Sequence, residues 1–529
     1  MADESKVLTQ SAEEVKGKVT TISREIDRNI QYLNKLLGVG ESFDIIFREM
    51  YAGRKKIATY SINAMVNDDL ISDILEHVVS FAPEELTVDA LYKIFYHRAA
   101  HTQTKEQKNM PDAITSLLSG ELIMFVDGED TCIVIDARKY PARMPAESNI
   151  EKVTRGSRDS FVETIVFNTA LMRRRLRDPR LRFEIVKVGM RSQTDIAVAY
   201  IQDIANPDWV KDIKRKLNNI AIDGVPMAEK AIEEYIVGGW KWNPLPKVRY
   251  TERPDVAVTH LLEGHVILLT DTSPTATIFP TTLFHHLQHA EEYRQNALVG
   301  TYLRWVRILG ILFAFLLPPL WLAMVLQSKL LPETLAFLGT KDPGVIPLGI
   351  QFILAEIGVE LVRMATVHVP SAQATALGFI GAFMLGEFAT KVGLFSNEVI
   401  FYTAVAAVGA FATPSVELAM AVRLFRLLTI VLVMLFKIPG FLAGVAIFAL
   451  TLLFTKSFGV SYLWPLIPLN VQALKDMFVR MPIPTKTMRP AILKPLDKDR
   501  LEPAGTSRKK EQDTGKSSGD EAADEDKKL

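Results

Sequence analysis

Residues 308–326 read ILGILFAFLLPPLWLAMVL, a stretch from Ile308 to Leu326 that carries no charge. A helix rises about 1.5 Å per residue, so the stretch matches the roughly 30 Å of hydrocarbon in a bilayer. The expectation is a membrane-spanning helix bounded by Arg307 and Lys329, with Pro318 and Pro319 imposing a kink or break in its middle. Apolar runs then follow one another to about Phe458. The second, 345–367, places Glu356, Glu360 and Arg363 on one face of one helix, at i, i+4 and i+7. The third, 373–394, is rich in small residues, among them Gly378, Gly381, Ala382 and Gly386, and closes with Glu387 and Lys391 at i, i+4.

A charge at bilayer depth costs at least about 2.5 kcal/mol unless it is paired or wetted. Glu356, Glu360, Arg363, Glu387 and Lys391 are therefore candidates for lining or gating a polar pathway. The other reading is mutual neutralisation, Glu360 with Arg363 and Glu356 with a neighbouring helix, which only holds the bundle together. Small residues let helices approach closely, so the third run is expected to pack against copies of itself or to line a pore. A fourth run, 399–418, breaks at Thr413-Pro414. The last, 424–455, is interrupted by Lys437-Ile438-Pro439-Gly440 and reads as a tight hairpin or one long broken helix. Basic residues mark cytoplasmic positions by the positive-inside rule. Arg304 and Arg307, then Arg423 and Arg426, then Lys475, Arg480, Lys486, Arg489 and Lys494 suggest an even number of crossings, which favours the hairpin.

Upstream the composition is that of a soluble protein. Residues 1–42 form a polar helical lead, with Val15, Val19, Ile22, Ile26 and Ile30 at helical spacing. Then come a hairpin, 43–51 and 56–62 around Gly53; helices at 69–81, 88–98 and 112–118; and strands 122–126 and 131–136. The order recurs: strands 183–188 and 196–201, helices 207–217 and 227–236, a helix ending at Gly264, strand 266–270 and a strand near Thr277. Leu117-Leu-Ser-Gly-Glu-Leu-Ile123 matches Leu261-Leu-Glu-Gly-His-Val-Ile267, implying one α+β unit duplicated with a period of 144 residues at that match. The fold class is thus an α+β N-terminal domain of two related lobes followed by an all-α polytopic membrane domain. The expected boundaries are 1–42 for the lead, 43–160 for the first lobe, 161–295 for the second lobe and juxtamembrane linker, 296–470 for the membrane domain and 471–529 for a basic then acidic, largely disordered tail.

In 529 residues, 61 basic side chains balance 61 acidic ones, which gives no reason to expect a nucleic-acid partner. The single cysteine, Cys132, excludes an internal disulfide and reads as a buried strand residue. No apolar segment follows the polar Met1–Lys6, so the N-terminal half is expected to stay in the cytoplasm. Arg173, Arg174, Arg175 and Arg177 suit anionic lipid headgroups or an acidic partner, or else a solvated helix end. Phosphate loops, dinucleotide fingerprints and paired-cysteine metal sites are missing, and no catalytic constellation presents itself. His285, His289 and Glu292 could share a helix face and bind zinc, but they sit on the juxtamembrane linker, where such side chains ride the interface. Neither an enzyme nor a metal or other cofactor is expected.

Several stretches together resemble the A-subunit family of bacterial spore germinant receptors. They are Asn168-Thr-Ala-Leu171 with the arginine run, Val188-Gly-Met-Arg-Ser-Gln-Thr-Asp195, Tyr200-Ile-Gln-Asp-Ile-Ala-Asn-Pro207, Thr251-Glu-Arg-Pro-Asp255, Leu262-Glu-Gly264, Ser273-Pro274 and Ser457-Phe-Gly-Val460. Where receptor subunits usually show Arg-Glu-Ala-Gly, an apolar residue, Arg and Leu-Pro, this chain has Arg363-Met-Ala-Thr-Val-His-Val-Pro370. With Ala412-Thr-Pro-Ser-Val-Glu417, that variant is similar to the stage V sporulation branch, and it puts direct nutrient sensing in doubt. The resemblance implies a protein of the spore inner membrane acting in germination, with its soluble domain and tail facing the cytoplasm or spore core. It also implies a second integral membrane subunit as partner, and copies assembled into a homo-oligomeric ring around an ion pathway. A non-conducting scaffold that clusters other receptor subunits is the alternative.

Overall fold

The computed structural model describes residues 19–82, 90–95, 103–140, 151–327, 339–340, 342–368 and 389–500. Lobe 1 runs through α1 (Ile26–Leu37), β1 (Ile45–Ala52), β2 (Lys55–Ile62), α2 (Asp68–Val79), β3 (Thr104–Gln107), α3 (Met110–Leu118), β4 (Leu122–Val126) and β5 (Cys132–Ile135). Lobe 2 repeats the series with α4 (Ile165–Arg175), β6 (Leu181–Val188), β7 (Thr194–Ile201), α5 (Pro207–Asn218), α6 (Ala228–Ile236), β8 (Arg249–Thr251), α7 (Pro254–Glu263), β9 (Val266–Thr270) and β10 (Ala276–Phe279). The antiparallel sheets share one strand order, β1-β2-β4-β5-β3 and β6-β7-β9-β10-β8.

Each sheet is covered on both faces, which is why its central strands are continuous apolar runs rather than alternating ones. Ile123 and Phe125 of β4 face α1 and α3, while Leu122, Met124 and Val126 face α2. Ile267 and Leu269 of β9 face α4 and α7, and Val266 and Leu268 face α5 and α6. The lead helix belongs to this architecture, since Ile26, Ile30, Leu33 and Leu37 of α1 are part of the first core.

The lobes are tied by buried polar contacts. The Phe43 N–H donates to the Phe183 carbonyl at 3.1 Å. Arg173 Nε donates to Asp44 at 2.8 Å, and its other nitrogens donate to the carbonyls of Asp178 and Leu181. A fully buried, fully engaged Arg173 cannot reach a lipid surface, which corrects the expectation for that residue. Arg175 pairs with Asp159, and Arg174 lies over the Tyr140 ring at 4.5 Å. Arg174 and Arg177 remain exposed.

Two short helices, α8 (Leu283–Leu287) and α9 (Ala290–Arg294), lead into α10 (Ala297–Leu326), which starts where the Asn296 side chain accepts the Val299 N–H at 2.8 Å. The helical half continues with α11 (Leu348–His368), α12 (Asn397–Phe411), α13 (Val416–Phe436) and α14 (Ile438–Phe454). Helix α10 begins well before Ile308 and runs through Pro318 and Pro319 without interruption. Between α12 and α13 the chain breaks at Thr413-Pro414 as expected. Helices α13 and α14 reverse at Lys437 and lie antiparallel, Gly440 against Leu432 and Gly444 against Thr429, so the last apolar region is a hairpin. Helices α10 and α12 touch at Gly310 and Gly409, where a Cβ on Gly409 would stand 2.2 Å from the Gly310 carbonyl oxygen. Gly378, Gly381, Ala382, Gly386 and Glu387 lie outside the described residues.

After α14, the hairpin β11 (Lys456–Ser457) and β12 (Val460–Ser461) docks on lobe 2, where Ser457 Oγ accepts the Thr281 N–H and donates to the Lys247 carbonyl. The tail through α15 (Val471–Phe478) to Arg500 returns along the same lobe. Arg489 Nε donates to the Leu262 carbonyl, and the Leu496 N–H to that of Ile204. Up to Arg500 the tail is therefore anchored rather than disordered, because lobe 2 supplies partners for its backbone and buries Leu493. Residues 501–529 lie outside the described residues.

Candidate functional site

The helical half encloses a network of charges. Proline has no N–H, so Pro318 leaves the Ala314 carbonyl of α10 without its normal i+4 donor. Arg426 of α13 supplies one, its Nη1 donating to Ala314 O at 2.5 Å. The same guanidinium pairs through Nη2 with Glu356 of α11 at 2.6 Å. Arg426 thus joins three helices and explains why α10 passes its prolines as one helix. Both members of the pair are sealed, at 1% and 2% side-chain exposure.

One turn further along α13, Arg423 reaches both acids, with Nε 3.7 Å from Glu356 and Nη1 paired to Glu360. Glu360 also accepts from Arg363 Nε at 3.0 Å on its own helix. The network runs from a closed end at Glu356–Arg426 to an open edge at Glu360–Arg363, where the side chains are 26% and 32% exposed. That edge is framed by exposed apolar residues of α11, Ile357, Leu361 and Met364.

Glu356, Glu360 and Arg363 are therefore brought together. Lys391 is exposed on the short turn Ala389–Lys391 and does not join them through any described contact; the Glu387 half of its expected pair lies outside the described residues. The residues missed from sequence are Arg423 and Arg426, which the positive-inside rule had assigned to a cytoplasmic boundary. They sit in the second and third turns of α13 and are buried, because carboxylates on α11 claim them. Spacing carried the signal: Arg423 and Arg426 fall at i, i+3, one helix face presented to a stripe of acids.

A second cluster fastens α10 to the soluble lobes. Glu292 of α9 is fully buried, accepts from Arg304 Nε at 2.7 Å and pairs with Arg307. Arg304 also donates to the carbonyls of Asp476 and Met477 of α15 at 3.0 and 2.9 Å. The three residues His285, His289 and Glu292 do not converge. His289 caps α9, its Nδ1 accepting the Glu291 N–H, and Glu292 serves the arginines, while His285 turns into lobe 2 towards His260 and His265. Between lobe 2 and the start of α13 lies a cavity of about 230 Å³ lined by Glu151, Arg249, His285, His286, Glu252 and Glu417.

A two-lobed α+β domain joined to a helical region is the class these features define, and α10 and α13 are long and apolar enough to cross a membrane. The chain belongs to the Bacillus/Clostridium GerA spore germination protein family, whose model matches residues 31–492. It is 45% identical over 480 residues to stage V sporulation protein AF of Bacillus subtilis, covering 91% of this chain and 97% of that one. Spore germination protein KA of Bacillus subtilis is 27% identical, with 92% of this chain and 90% of that one covered. The crystal structure of the N-terminal domain of the A subunit of the Bacillus megaterium spore germinant receptor GerK3 matches with 27% identity and a TM-score of 0.37, covering 49% of this chain and 96% of that domain. These relatives carry the names of germination and sporulation proteins, not of enzymes.

Proposed function

We propose that this chain is an integral membrane subunit of the spore germination machinery that assembles with copies of itself and conducts ions during germination. The observation that carries the reading is the open edge of the charge network. Glu360 and Arg363 stand a quarter to a third exposed on an otherwise apolar helix surface. A charge pair facing lipid is costly, so such an edge calls for water or another protein surface. A neighbouring copy with a wetted seam provides both, and Glu356, Glu360, Arg363, Glu387 and Lys391 then lie along or beside the ion path. Docking of the tail on lobe 2 supports an even number of crossings, with both soluble parts on the cytoplasmic or core side of the spore inner membrane.

The test is ion efflux during germination. E356Q and E360Q should slow it at normal protein levels, whereas unchanged efflux would reduce both residues to structural ties. The second reading, a scaffold that clusters other receptor subunits and conducts nothing, is favoured by the capping of Glu356 inside its own chain. Flux through vesicles holding the purified chain, alone or with a second membrane subunit, separates the two.

A further inference from the structure

Three imidazoles meet in lobe 2 at the point where it hands over to the helical half. His260 lies on the last full turn of α7, His265 opens β9, and His285 is on α8. Gly264, at φ +106°, makes the left-handed turn that brings His265 back beside His260. The rings stand edge to face with centroids 4.7, 5.6 and 5.1 Å apart, and all three are buried. One donor atom from each ring and a carboxylate oxygen of Glu263 all fall within 4.8 Å of one another. Buried polar atoms are normally partnered. Here His265 Nδ1 and Nε2 and His260 Nδ1 have no hydrogen-bond partner. Apolar packing does not explain rings that meet through their nitrogens.

We infer that His260, Glu263, His265 and His285 form a buried binding site for a dication of the zinc class, which pins α8, and with it the entry to α10, onto lobe 2. Three imidazoles and one carboxylate are a closed tetrahedral set for Zn²⁺, and nitrogen-rich donors select it over Mg²⁺ or Ca²⁺. Bonds of about 2.0–2.1 Å place tetrahedral donors roughly 3.4 Å apart, so the present spread closes by side-chain rotation alone. Burial holds all three rings uncharged at neutral pH, His265 down to about 4 and the others well below the usual histidine value, which leaves lone pairs for a metal. Competing partners are single hydrogen bonds: the Thr282 N–H to His285 Nδ1 at 3.0 Å, and Arg249 Nη1 near His260 Nε2 at 3.4 Å. Arg500 stands 3.5 Å from Glu263, and Glu151 balances Arg249 at 3.2 Å. The cavity beside His285, with its glutamates, provides a route for entry.

The test uses the full chain, purified in detergent through a tag that contains no histidine, from cells grown with added zinc. The proposal expects about one zinc per chain after dialysis, and at least a tenfold loss of retained zinc in H265A and in H260A. Should either variant extract poorly, the wild type answers alone. Chelator treatment should speed amide exchange across residues 283–294, and Zn²⁺ but not Mg²⁺ should restore protection. A wild-type chain that retains no zinc, variants that retain as much as the wild type, or exchange indifferent to chelator and Zn²⁺ would each overturn the inference.

Discussion

Replacing Arg426 with methionine removes two contacts at once. Glu356 loses its closest partner, at 2.6 Å, and keeps only Arg423 at 3.7 Å. Breaking a buried ion pair from one side costs about 3–5 kcal/mol, because the remaining charge stays desolvated. The Ala314 carbonyl, which Pro318 denies its helical donor, loses its Arg426 bond as well, at about 1–3 kcal/mol. The loss is thus at least about 4 kcal/mol. For a cooperative unit of 150–250 residues, 1 kcal/mol moves Tm by about 2–4 °C, so R426M should melt roughly 10 °C below the wild type. Thermal unfolding of the detergent-solubilised chain measures this. The double variant E356Q/R426M removes the stranded charge and should recover most of the loss, leaving the carbonyl as the residual. R426M melting within about 2 °C of the wild type, or a double variant no more stable than the single one, would refute the account of the network.

R173M should destabilise the soluble half by about 3–5 kcal/mol, since Arg173 is buried against Asp44, and denaturant unfolding of the chain reads this directly. R174A/R177A should leave that stability within about 0.5 kcal/mol of the wild type, because both side chains are exposed. Burial pushes the Cys132 thiol up to about 12, so maleimide should label the native chain slowly at pH 7.5 and rapidly once it is denatured. G409V should separate α10 from α12 and lower the yield of folded, detergent-extracted chain, whereas V408A, at an exposed position, should not.

The duplicated lobes were legible because their signals are local: β4 and β9 are unbroken apolar runs, and each is preceded by a helix that closes on glycine. The edge strands β3 and β8 were not, since Thr104–Gln107 and Arg249–Thr251 are short, polar and extended only through their pairing with β5 and β10. The acidic stripe on α11 could be read from its helical spacing, but its partners could not. Arg423 looks the same in sequence whether it faces headgroups or Glu360, and packing decides. Pro318-Pro319 read as a break for the same reason, because the guanidinium that satisfies Ala314 comes from more than a hundred residues downstream. The histidine cluster draws on α7, β9 and α8, so reading along a single helix selected His285 and His289 and passed over His260 and His265.

The central claim is that the Glu360–Arg363 edge is completed by another copy of this chain. The mass of the assembly in lipid nanodiscs tests it most directly. The account predicts one defined multiple of the 59.2 kDa chain. A particle holding a single chain would contradict it.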